Sequence, residues 1–268
     1  MKYRLPVFIL LFIFIGTITA VIYASDVQAK QTDEVARLRA RADLYWKAQV
    51  KRDWGSVYDL LSPVEKAGLS KKRFVKFKEK ERAIRYLSYR LADVETSERY
   101  GWTRIIYKAQ PADLPDYPPR TIKIWQIWEK IEGNWYPVPP SRREDFPQLP
   151  PKMRQPKEER ALLKRVDAFW RAKEEQDWQS VYEYLDPDFK SAVPAAEFLQ
   201  KKAMFLYLDH HIEWVEVVDN RGRAKVLYTY RLNDPTIRKA RPVEENMVES
   251  WIKVNGHWYR QVPEEAAE

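Results

Sequence analysis

The chain has 268 residues, of which 45% are hydrophobic and 14% aromatic, enough material for one or two packed domains. It has no cysteine, which excludes a disulfide framework, a thiol nucleophile, a cysteine-ligated metal and lipid attachment through a lipobox. Its balance is basic, net +8 with a pI near 9.3, and that favours anionic partners.

Residues 1–29 read as a targeting segment. Lys2 and Arg4 form a positive start, Leu5 to Ala24 is apolar apart from Thr17 and Thr19, and Val27-Gln28-Ala29 resembles a small-x-small cleavage site. The apolar run is also about long enough to span a bilayer. The segment is therefore either a cleaved signal peptide or a retained membrane anchor. Both place the rest of the chain outside the cytoplasm, periplasmic or at the cell surface. That location argues against a nucleic-acid partner despite the basic charge.

Residues 30–138 follow as a first domain. The segment from Gln31 to Arg52 is predicted to be helical, with Leu38, Ala42, Tyr45, Trp46 and Gln49 on one stripe. Next comes DWGSVYDLLSP, Asp53 to Pro63. Asp53 is a good N-cap, and Trp54, Val57, Tyr58 and Leu61 form one helical face. Pro63 ends the helix. Ser70 is predicted to cap a third helix over KKRFVKFKEKERAIRYL, with Phe74 and Phe77 as its apolar points. This stretch is rich in cations, and Lys71, Lys72, Arg73, Lys76, Lys78 and Lys80 are candidates for contact with an anionic surface. Strands are expected around Leu87–Leu91, Trp102–Lys108, Thr121–Ile131 and Trp135–Val138, with Tyr100-Gly101 read as a turn. Ile122, Ile124 and Trp128 face one way and Trp125, Ile127 and Ile131 the other, so that strand is covered on both sides.

Residues 139–157 read as a proline-rich linker of polyproline character. Residues 158–268 then repeat the first domain. DWQSVYEYLDP, Asp177 to Pro187, matches Asp53–Pro63 at seven of eleven positions. A closing pattern WxKxxGxWY occurs at Trp128–Tyr136 and again at Trp251–Tyr259. Strands are expected at Ile212–Val218, Lys225–Leu232, Val243–Val254 and His257–Val262, with Asn255-Gly256 as a type I′ hairpin signal. The fold class is α+β: two tandem domains, each with N-terminal helices packed on an antiparallel sheet.

Chemistry is sparse. Asp209, His211 and Glu213 alternate along a strand and so share a face, which makes them the densest acid/base cluster, although His210 and His211 point to opposite sides. There is no phosphate loop, GxSxG or HExxH, and no cofactor or metal is expected.

The order of helices then strands, with the DWxxVYxLLSP motif early and GxWY at the close, resembles the nuclear transport factor 2-like superfamily, which includes ketosteroid isomerase-like and SnoaL-like proteins. The resemblance implies that each sheet is bent into a cone around its helices, with a pocket at the open end. It also implies either a binding module or a small-molecule enzyme. The sequence points to an exported, non-catalytic binding or assembly module of the cell envelope. Its expected partners are an envelope protein or an anionic surface (lipid headgroups or wall polymer), and a small apolar ligand. The alternative is an isomerase, dehydratase or hydrolase working in one cone, with Asp209, His211 or Glu213 as acid or base.

Overall fold

The computed structural model describes residues 8–81, 84–114, 116–200, 205–233 and 241–262, with backbone alone for 8–28 and 200. The chain forms two compact units, Met1–Val138 and Pro139–Glu268. Each is α+β, with four helices before a four-stranded antiparallel meander.

Unit 1 holds α1 (Phe8–Lys51), α2 (Trp54–Asp59), α3 (Pro63–Lys66) and α4 (Lys71–Lys80), then β1 (Ile84–Thr96), β2 (Tyr100–Pro111), β3 (Arg120–Ile131) and β4 (Asn134–Pro137). Unit 2 holds α5 (Pro156–Glu174), α6 (Trp178–Glu183), α7 (Pro187–Ala192) and α8 (Ala195–Gln200), then β5 (Phe205–Val218), β6 (Arg221–Leu232), β7 (Val243–Val254) and β8 (His257–Arg260). The expected targeting segment lies outside the described side chains. Among the described residues no helix is long and apolar enough to cross a membrane.

The caps act as their chemistry requires. Asp53 accepts from the Ser56 backbone N–H, and Asp177 from that of Ser180, both at 3.1 Å. Pro63 ends one helix but also opens the next, where the missing N–H costs nothing. Ser62 and Glu65 form a reciprocal capping box there. The third helix is shorter than its composition suggested. It stops at Lys80, and β1 has begun by Ile84, because Tyr86, Tyr89 and Leu91 are needed at strand spacing against the helices.

Two details of the sheets matter for the site. First, β1 shifts register between Tyr86 and Ser88 and between Leu91 and Asp93. β5 does the same between Tyr207 and Asp209 and between Ile212 and Trp214. Paired bulges bend a strand sharply. Second, Gly101 is not in a turn: it lies inside β2 opposite Trp128, as Gly222 in β6 lies opposite Trp251. A Cβ on Gly101 would collide with Leu38 and crowd Trp135, and one on Gly222 would do so with Leu162 and Trp258. Only glycine lets the helix approach the sheet this closely. At the closing hairpins Glu132-Gly133 and Asn255-Gly256 all take positive φ, the type I′ geometry.

The proline-rich segment is not a free spacer. It forms two 3-10 turns, Pro140–Asp145 and Pro151–Met153. Phe146 is buried, the Leu149 N–H donates to Glu216 Oε1 at 2.7 Å, and the Trp214 indole donates to the Asp145 carbonyl. Its few apolar and acceptor groups therefore strap it to β5 of unit 2.

Candidate functional site

Each core is built on a tryptophan contributed by its long helix. In unit 1 this is Trp46, which stacks with Tyr107 and Tyr89 and meets Tyr86 edge-on. Its indole N–H donates to Gln126 Oε1 at 2.7 Å, and the Trp128 indole donates to Thr103 Oγ1 at 2.9 Å. Every partner is neutral.

In unit 2 the same frame is charged. Trp170 replaces Trp46, Tyr207 and Tyr228 replace Tyr86 and Tyr107, and Glu249 on β7 stands where β3 has Gln126. Ala224 takes the place of Thr103, so the Trp251 indole loses its hydroxyl acceptor. Glu249 supplies the acceptor instead, taking N–H groups from both Trp170 and Trp251 at 3.3 Å. Glu249 is only 2% exposed, and a carboxylate buried that deeply needs a cation. Arg260, opposite Trp251 where unit 1 has Pro137, provides it through Nε at 2.8 Å.

Lys173 is the second cation, one turn after Phe169 on α5, where unit 1 has Gln49. It is 9% exposed. Its ammonium sits 3.7 Å from the ring centres of both Trp170 and Tyr207, with Phe169 and Tyr228 within 6 Å. Among the described residues it makes no ion pair or hydrogen bond. Burial, and then the nearby Arg260 charge, lower its pKa to about 7, against a smaller opposing pull from Glu249. Each face-on ring returns roughly 0.5–2 kcal/mol to the charged form, less than the several kcal/mol that desolvation of an ammonium costs.

Lys173 and Arg260 both line a cavity of about 240 Å³. Its remaining wall is apolar and includes Val181, Phe189, Val193 and Phe198. The matching positions in unit 1 include Gln49, Glu65 and Pro137.

The sequence-derived candidates lie elsewhere. Asp209 and His211 are exposed on β5, and Glu213 pairs with Lys225 at 3.0 Å. The Ile212/Trp214 bulge breaks the alternation that would have set His211 and Glu213 on one face. His210 is the histidine turned inward: its Nδ1 lies 2.6 Å from Glu174, its Nε2 lies 3.4 Å from Asp167, and its ring stacks on Trp170. The equivalent in unit 1 is Tyr89, whose hydroxyl donates to Asp43 at 2.8 Å. No cluster of metal-ligating side chains occurs among the described residues. On α4, Lys71 pairs with Asp59 and Lys78 with Glu81, while Lys72, Arg73, Lys76 and Lys80 are exposed. Phe77 is 63% exposed among them. Sequence reasoning missed Lys173, Glu249 and Arg260. The available signal was that three neutral residues of the first repeat become charged in the second.

No protein-family model matches the chain, and no curated protein matches it in sequence. Solved structures similar to it include a SEC-C motif-containing protein from Rhodopseudomonas palustris, at 14% identity and TM-score 0.28, covering 35% of this chain and 69% of that one. Another is an Ntf2-like protein involved in plasmid conjugation, at 11% identity and TM-score 0.30, covering 67% of this chain and 76% of that one. The second belongs by its description to the fold group that the sequence resembles. At these scores neither likeness bears on activity.

Proposed function

We propose that the chain is a non-catalytic binding module of the cell envelope, and that unit 2 is the half that takes a small apolar ligand. The cavity of about 240 Å³ walled by Val181, Phe189, Val193 and Phe198 carries this reading. Small-molecule sites are concave, mostly apolar and marked by a few polar groups, and this cavity has that composition. The envelope location rests on the basic and apolar character of residues 1–29. The exposed lysines of α4, with Phe77 beside them, suit a second role at an anionic surface.

The test uses the full chain and the neutral single-ring ligand toluene, followed by titration calorimetry. Toluene should bind with measurable heat, and Val193→Trp, which fills the cavity from the end of α7, should abolish that heat while the melting transition stays cooperative. No toluene binding, or binding untouched by V193W, overturns the pocket reading.

A further inference from the structure

We propose that the pocket of unit 2 selects an apolar carboxylic acid as its carboxylate, held between the Lys173 ammonium and the Arg260 guanidinium. This rests on the reading of the cavity as a ligand site and names the chemistry of what enters it.

The geometry supports the anion in four ways. Lys173 lines the cavity and, among the described residues, its ammonium makes no ion pair or hydrogen bond and lies over the Trp170 and Tyr207 rings. An unpaired cation in an apolar wall leaves a strong place for an anion. Arg260 lines the same cavity and spends only Nε on Glu249. Its terminal nitrogens make no hydrogen bond among the described residues, and a guanidinium fork fits the two oxygens of a planar carboxylate. Among the described residues, the acid that acts on Lys173, Glu249, is already engaged by two indoles and by Arg260. The rest of the wall is hydrocarbon, including Phe189 where unit 1 has Glu65. The volume suits a single ring or short chain, about eight waters on the liquid share of roughly 30 Å³ each.

The test compares phenylacetate with its neutral isostere phenylacetamide by titration calorimetry on the full chain. Phenylacetate should bind at least tenfold more tightly. Lys173→Gln, which installs the residue found in unit 1, should remove that tenfold preference and leave phenylacetamide within twofold. Arg260→Lys should weaken the acid severalfold, because the charge stays but the fork is lost. A measurement on the wild-type chain avoids folding losses in the variants. At pH 8, titrations in buffers of different ionisation enthalpy should show proton uptake with phenylacetate and none with phenylacetamide. The groups facing Lys173 are Arg260 on β8, Glu249 on β7, Tyr207 on β5 and Tyr228 on β6. Tyr228 is held protonated by burial, with a pKa raised to about 12, so the proton goes to Lys173. Equal affinity for acid and amide, or acid binding without proton uptake, overturns the anion proposal while toluene binding keeps the pocket reading intact. If acid, amide and toluene all fail to bind, the pocket reading itself falls.

Discussion

The two units share element order, sheet register and several hydrogen bonds, and differ in what they bury. In both, a helix-borne arginine donates to the carbonyl of the hairpin tryptophan at 3.1 Å: Arg41 to Trp135 and Arg165 to Trp258. In both, a tyrosine hydroxyl ties the short helix to the following loop: Tyr58 to Leu69 and Tyr182 to Val193. Glu34 and Glu158 each hold that same tryptophan and a lysine. These are scaffold contacts. The core differs: Gln49, Thr103, Gln126 and Pro137 in unit 1 stand against Lys173, Ala224, Glu249 and Arg260 in unit 2. The changes are coupled. Losing the Thr103 hydroxyl calls for a second acceptor, the acid that supplies it calls for a cation, and Arg260 answers. Lys173 is not needed in that chain of compensation. A buried charge unnecessary for stability is where function is to be sought.

The largest expected effect breaks the charged core. Glu249→Ala strands Arg260 and two buried indole N–H groups and should cost about 3–5 kcal/mol. Gln126→Ala strands a single indole and should cost about 1–2 kcal/mol. Urea unfolding of the two variants measures the contrast, and equal losses would mean that the units are energetically alike.

Lys173→Gln should do the opposite and stabilise. In the folded chain the Lys173 pKa is lowered to about 7 from 10.5, so between those values the unfolded state holds the extra proton. Wild-type stability therefore climbs as pH rises through that window, and the penalty is full below pH 7. The gain from the variant should be about 2 kcal/mol at pH 6, after the ring contacts are discounted, and should shrink steadily towards pH 10. A gain independent of pH would show that Lys173 is not desolvated in solution.

Gly101→Ala and Gly222→Ala sharpen the shared part of the comparison. Each added methyl meets a leucine and a tryptophan in the same way, so each should lose about 1–3 kcal/mol, and the two losses should agree. A large difference would mean that the helix-to-sheet fit is not the same in both units.

The smallest effect on stability is expected on α4. Replacing Lys72, Lys76 and Lys80 with Gln should leave the unfolding midpoint nearly unchanged, because exposed lysines contribute little. Sedimentation with anionic vesicles should fall. Unchanged sedimentation would leave these side chains as a solvated face.

Much of the fold was legible because it is set by neighbours in the chain. Asp53, Ser70 and Asp177 announce helix starts through groups three residues away. Asn255-Gly256 announces its hairpin through a positive φ at both residues. The repeated tryptophans marked the helix stripe and the strands that cover it. Other features depend on pairings far apart in sequence. The repeat runs at an offset of 124 through the helices, but the matching bulges put Tyr207 opposite the role of Tyr86, an offset of 121. At an offset of 124 His210 would fall on Tyr86, whereas the sheet register pairs its role with Tyr89. Bulges also reverse which side chains face inward, so strand periodicity alone chose His211 and Glu213 over His210. The candidate site joins Lys173 on α5 to Glu249 and Arg260 on β7 and β8. No local pattern links residues so distant. By itself the sequence determined two like α+β frames, because caps, turns and apolar period act over three or four residues. Only the tertiary structure decided that one frame encloses a buried ammonium among aromatic rings, because desolvation and through-space charge depend on which side chains the folded sheet brings together.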